Sequence, residues 1–136
     1  MPARAAFEYA LIRVVPRVER EEFVNAGAVV FCPTRAFLAA RIELDRARLA
    51  ALAPPGTLDL EIVEQHLAAI PAICAGDPGA GPLARLPPGE RFRWVVAPRS
   101  TVVQPSAVHT GLTEDPAAAL EHLLATMVRA ARGADG

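Results

Sequence analysis

Only Pro33-Thr34-Arg35 separate two strand-like runs, residues 28–32 and 36–44. A parallel neighbour needs a crossover of a dozen or more residues, so strands this close must pair as an antiparallel hairpin. In the second run Leu38, Ala40, Ile42 and Leu44 alternate with Arg41 and Glu43, the pattern of a half-exposed strand. Ahead of the hairpin, residues 7–15 are rich in aromatic and β-branched side chains and stop at Pro16, which reads as a further strand. Both of its faces are largely apolar, which places it in the middle of a sheet. Arg13 falls in the same row as Phe7, Tyr9 and Leu11, and a charge in a buried row needs a partner.

After residue 44 the period changes. Asp45 can cap a short helix, 46–52, which Pro54-Pro55-Gly56 terminates. A longer helix starts near Thr57, with Asp59 and Glu61 favourably placed in its first turn and Leu60, Val63, Leu67 and Ile70 on one face. Pro71 leaves its end open. Residues 75–89 are rich in Gly and Pro and read as a loop. Residues 91–96 alternate again, with Phe92, Trp94 and Val96 opposite Arg91 and Arg93, which predicts a fourth strand; 101–104 predicts a short fifth. Asp115-Pro116 is an N-cap followed by a first-turn proline, opening a C-terminal helix over 116–132 striped by Leu120, Leu123, Leu124, Met127, Val128 and Ala131. This order lacks strict strand–helix–strand alternation. The expected fold is α+β: a mostly antiparallel sheet of four to five strands with two main helices packed against one face, all in one domain over 1–136.

Composition narrows the function classes. Hydrophobic residues make up 52% of the chain but aromatics only 5%, so the core must be aliphatic. A net charge of −1 argues against a surface given over to nucleic acid or anionic lipid. All basic residues are arginine, which reads as codon usage; arginine would also suit bidentate phosphate recognition. No stretch approaches the roughly 18 uncharged apolar residues of a membrane span, and no signal peptide is evident at the start. Cys32 and Cys74 lie far apart, without a CxxC or a histidine pair, and fit apolar fillers in a reducing compartment. The expected location is the cytoplasm, with no metal site and no cofactor.

Strong catalytic signatures are absent: no phosphate-binding glycine loop, no nucleophile elbow, no HExxH. His66 and His122 read as exposed helix positions. Two places could carry chemistry. In Glu22-Phe23-Val24-Asn25-Ala26-Gly27, Glu22 and Asn25 flank two apolar residues and Gly27 permits a bulge or a close backbone approach. The same residues also fit a structural corner, Asn25 bonding local backbone and Glu22 pairing with Arg13 or Arg99. The second place, residues 91–111, holds Arg91, Arg93, Arg99, Ser100, Thr101, His109 and Thr110, which could grip a phosphate or carboxylate, with His109 shuttling a proton. Equally, an arginine could pin the backbone there through carbonyls while His109 caps a turn.

Phe7-Glu8-Tyr9-Ala10-Leu11-Ile12-Arg13-Val14-Val15-Pro16 and residues 20–31 resemble the opening of the DUF3037 family. Residues 91–100 and Val108-His109-Thr110-Gly111-Leu112 resemble its second half; Ala28 departs from the larger aliphatic residue expected there. The resemblance implies a small bacterial domain of no assigned activity, whose members are often encoded beside a protein similar to HipA-type kinases. It also marks Glu22, Asn25, Gly27, Arg99, Ser100 and His109 as positions that matter.

Two readings follow. The first is a protein-interaction or regulatory module acting with a HipA-like kinase partner, an edge strand or sheet face making the contact and Trp94 or Phe37 anchoring it. The alternative is a small enzyme or a nucleotide- or anion-binding protein. Its catalytic candidates are Glu22 and His109, and its ligand-binding candidates are Arg13, Asn25, Arg99 and Ser100. Nucleic-acid binding through residues 85–99 is a weaker third, because Phe92 and Trp94 alternate away from Arg91 and Arg93.

Overall fold

A computed structural model describes residues 3–129. The first three strands are β1 (Ala5–Val14), β2 (Val24–Cys32) and β3 (Phe37–Ile42), joined as successive antiparallel hairpins. The 3-10 turn Pro33–Arg35 closes the second hairpin as its spacing required, ending on Ala36 in the left-handed region (φ 51°). Two later strands, β4 (Val103–Pro105) and β5 (His109–Thr113), share the remaining edge of β1. β4 pairs with Ile12–Val14 and β5 with Ala5–Tyr9, both antiparallel. The sheet therefore has five strands, with β1 at its centre.

Ser106 joins the two strands that share that edge. Its N–H donates to the Leu11 carbonyl at 2.8 Å, and its hydroxyl accepts from the Leu11 N–H at 2.8 Å. Leu11 thus keeps both of its ladder bonds across the gap between β4 and β5, and this serine is buried at 7% exposure.

The helices are α1 (Arg46–Leu52), α2 (Leu60–Ala75), α3 (Pro88–Val95) and α4 (Pro116–Leu123), the last running on into one π-helical turn, Leu124–Val128. Asp45 and Asp115 cap α1 and α4 as their positions predicted. Helix α2 starts at Leu60 rather than near Thr57, so Asp59, expected inside its first turn, is its cap, and each of the three carboxylates accepts backbone N–H of the first turn. Helix α2 passes through Pro71 and stops at Gly76, whose φ of 71° closes the C-cap; the Arg91 guanidinium then takes up the Ile73 and Cys74 carbonyls.

Two expectations need correction. Residues 91–96 are not a strand but most of α3. A six-residue window cannot separate a period of 2 from one of 3.6: Phe92, Val95 and Val96 bury together at helical spacing, while Trp94 turns outward at 39% exposure. Pro88 at the first helical position tips the choice. The helices also do not share one face. Helices α1, α2 and α3 cover Ile12, Val14, Val29 and Phe31 with Leu49, Leu67, Ile70 and Phe92, whereas α4 covers Phe7, Val30 and Cys32 with Leu120, Leu123 and Leu124. β1 and β2 are apolar on both sides, so both sides need a cover. Helix α4 with its π turn ends at Val128, short of the predicted 132; Ala131 and Arg132 lie outside the described residues.

The β1–β2 ladder carries a bulge between Ile12 and Arg13, where Ala26 is the extra residue between Gly27 and Asn25. It keeps Val24 and Ala26 in the core beneath α2 while Asn25 faces the other way. Gly27 lets β3 approach closely: a Cβ there would lie 2.5 Å from the Arg41 carbonyl oxygen.

Candidate functional site

Where α2, α3 and β4 meet, the surface opens into a groove of about 280 Å³ floored by Ile70 and Ile73 and walled by His66, Trp94, Arg99 and Val103. Two of its residues are fixed before any ligand arrives. The Arg99 guanidinium lies 4.8 Å from the Trp94 ring centroid, donates from Nη2 to the Trp94 carbonyl at 2.6 Å, and donates from Nε to the Ala97 carbonyl at 3.2 Å. Trp94 thus has a cation over its ring while 39% of the residue stays exposed. His66 and Thr101 add polar groups at the rim. Tryptophan and arginine, with tyrosine, are the side chains that most often dominate binding energy.

The candidate residues are dispersed. Arg99 belongs to this groove. Ser100, its neighbour, turns into a second cleft with Arg13, Glu21, Phe23 and Gln104. Arg13 stacks 4.0 Å over the Phe23 ring rather than pairing with Glu22. Glu22 is engaged by Arg20 at 2.5 Å, which holds its carboxyl below the usual carboxylate range and raises the guanidinium in turn. Asn25 serves the backbone, its Nδ2 donating to the Met127 carbonyl at 3.0 Å; Arg48 takes the next carbonyl, Val128, at 2.9 Å. His109 is exposed on β5 and stacks against Tyr9, ring centroids 5.4 Å apart.

These positions do not form one catalytic centre. His109 pairs with Tyr9 on β1, while Glu22 precedes Val24, the partner of Val14. Five residues of strand separate those partners, roughly 17 Å, so Glu22 and His109 cannot reach one substrate through hydrogen bonds. Nor is there a cysteine nucleophile: Cys32 and Cys74 are both buried, and burial pushes the Cys74 thiol up to about 12. Among the described residues no group of histidines, cysteines and carboxylates could hold a metal ion. None of the helices among them is long and apolar enough to cross a membrane. Phe37, the other expected anchor, is half-buried in the core under α4.

Sequence reasoning missed β5, Ser106, and the Trp94 groove with its α2 wall. The only signal for the groove was the pair Trp94 and Arg99, five residues apart, and reading 91–96 as a strand turned Trp94 into the core.

The family whose model matches residues 9–128 is described as protein of unknown function (DUF3037). The chain belongs to this family. The DUF3037 match runs from β1 through the π turn after α4, so it includes both the Trp94 groove and the Arg13 cleft. No curated protein and no solved structure matches the chain.

Proposed function

We propose that this DUF3037 domain is a protein-interaction module and that the groove at Trp94 is its docking surface. The observation that carries the reading is the preorganised pair: an exposed tryptophan backed by an arginine whose Nε and Nη2 are already bonded to local carbonyls. Such a pair loses little freedom on binding, so its buried area converts into affinity with a small entropic cost. The dispersal of Glu22 and His109 favours binding over catalysis. The proposed partner is a HipA-like kinase, a choice that rests on the family resemblance and on no feature of the groove.

Calorimetric titration of the purified domain with that kinase tests the reading. Complex formation is expected, and Trp94→Ala is expected to weaken it by about 30-fold or more, the loss of a central hot spot. Absence of binding would overturn the partner; binding that Trp94→Ala leaves unchanged, with a native circular dichroism spectrum, would overturn the surface.

A further inference from the structure

The Arg13 cleft holds a charge that the fold does not use. Arg13 lies one residue from the C-terminal end of β1, beside the bulge, opposite Asn25 on β2 and Gln104 on β4. Its Nε is buried and has no hydrogen-bond partner among the described residues, and none of its nitrogens meets a carboxylate there. The Nε is closed to solvent, so a ligand in the cleft would meet the two outer nitrogens of the guanidinium. Phe23, 41% exposed, has the Arg13 guanidinium carbon 4.0 Å from its ring centroid.

What surrounds this arginine is asymmetric. The cleft, about 420 Å³, is lined by Arg13, Ser100 and Gln104 together with Val15, Val18, Phe23 and Glu21. That volume falls in the range of roughly 300–1,000 Å³ typical of small-molecule sites. The Ser100 hydroxyl and the Gln104 amide line the same cleft and can add donors to the guanidinium fork. Glu21 supplies the opposite charge, and it is held in the left-handed region at φ 56° at the end of the turn Val18–Arg20. A doubly charged phosphate would meet that carboxylate unfavourably. A single carboxylate would meet it less so, and a ligand that also carries an ammonium group would pair with it.

We propose that this cleft binds the zwitterionic head of a free amino acid, the carboxylate on Arg13, Ser100 and Gln104, the ammonium on Glu21, and the side chain against Val15, Val18 and Phe23. A peptide terminus offers only one of the two charges and is the poorer fit. The inference does not rest on the Trp94 groove: Arg99 and Ser100 are adjacent in sequence but open into different clefts.

The test is a nitrogen-15 NMR titration of the whole domain with each of the twenty free amino acids, followed by calorimetry on any that bind. At least one is expected to shift the amides around residues 13, 21, 100 and 104. Its N-acetyl and decarboxylated forms are each expected to bind about 10- to 100-fold more weakly, the loss of one charge-assisted hydrogen-bonded contact. Arg13→Lys keeps the charge but loses the fork, so it should weaken binding, and Glu21→Gln should abolish the preference for the free amine. Ser100→Ala, an exposed turn position, gives a second variant should Arg13→Lys fail to fold; it too should weaken binding. The proposal is overturned if no amino acid binds, if the N-acetyl form binds as well as the free one, or if inorganic phosphate occupies the cleft in their place. Affinity unchanged in both Arg13→Lys and Ser100→Ala would also overturn it.

Discussion

Replacing Gly27 by alanine separates a steric requirement from a functional one. Gly27 lies opposite Ile12 on β1 and Ile42 on β3, beside the bulge. An alanine Cβ there would sit 2.5 Å from the Arg41 carbonyl oxygen and 2.6 Å from Ile42 Cδ1. The isoleucine can rotate, but the carbonyl moves only with its strand, so β3 must retreat by roughly 0.9 Å to restore ordinary contact. Overpacking of this kind costs about 1–3 kcal/mol, offset by about 0.4–1 kcal/mol from the stiffer unfolded chain. The net loss is then about 1–2 kcal/mol, which for a chain of this length lowers Tm by roughly 3–8 °C. Urea denaturation followed by far-ultraviolet circular dichroism measures it, the midpoint falling with an unchanged slope. Gly111→Ala is the comparison: its Cβ would meet the buried Phe7 ring, a side chain rather than backbone, at 2.8 Å, so it tests overpacking without displacement of a neighbouring strand. A Gly27→Ala variant as stable as the parent would refute the argument that close β2–β3 approach demands glycine.

Ser106→Ala removes the hydroxyl that accepts from the Leu11 N–H, and an orphaned buried amide costs about 1–3 kcal/mol. Chemical denaturation checks this, and amide exchange at Leu11 should accelerate with it. Acidification should loosen the end of α4. Hydrogen bonds from Arg129 lower the Glu43 and Glu121 carboxyls, Arg41 adding to the latter, so these pairs contribute in full above the ordinary carboxylate pKa. Their contribution disappears as pH falls through the lowered values. Urea midpoints between pH 7 and pH 3 should fall less in Arg129→Ala than in the parent; an equal fall would contradict the assignment.

Much of the architecture was legible because local rules and tertiary demands agreed. Asp45 and Asp115 each stand one residue before a helix that a nearby apolar stripe needed, and Pro33-Thr34-Arg35 left no topology but a hairpin. Both apolar faces of β1 were readable from its residues, yet their consequence, helices on both sides of the sheet, was not drawn. Residues 91–96 failed for a different reason: Phe92, Trp94 and Val96 satisfy a strand as well as Phe92, Val95 and Val96 satisfy a helix, and Pro88 at the first helical position, outside that window, tips the choice. β5 was hidden because His109-Thr110-Gly111-Leu112-Thr113 is an exposed edge with little hydrophobic pattern to betray it. The candidate site fared worse than the fold. Glu22 ahead of β2, Asn25 on β2 and His109 on β5 are set against different parts of β1 by a register that no spacing in the sequence encodes. Arg13 was conspicuous in its apolar row, but Glu22, one partner considered for it, is held by Arg20 instead.

Trp94 is the chain's single tryptophan, so its indole N–H gives one unambiguous resonance from the centre of the proposed docking groove. Adding the HipA-like kinase to nitrogen-15-labelled domain and following that resonance tests the central claim most directly. It should shift or broaden in proportion to complex formed, together with amides of α2 and of residues 99–103. A complex that forms while the indole resonance stays in place would contradict the account and move the interface elsewhere.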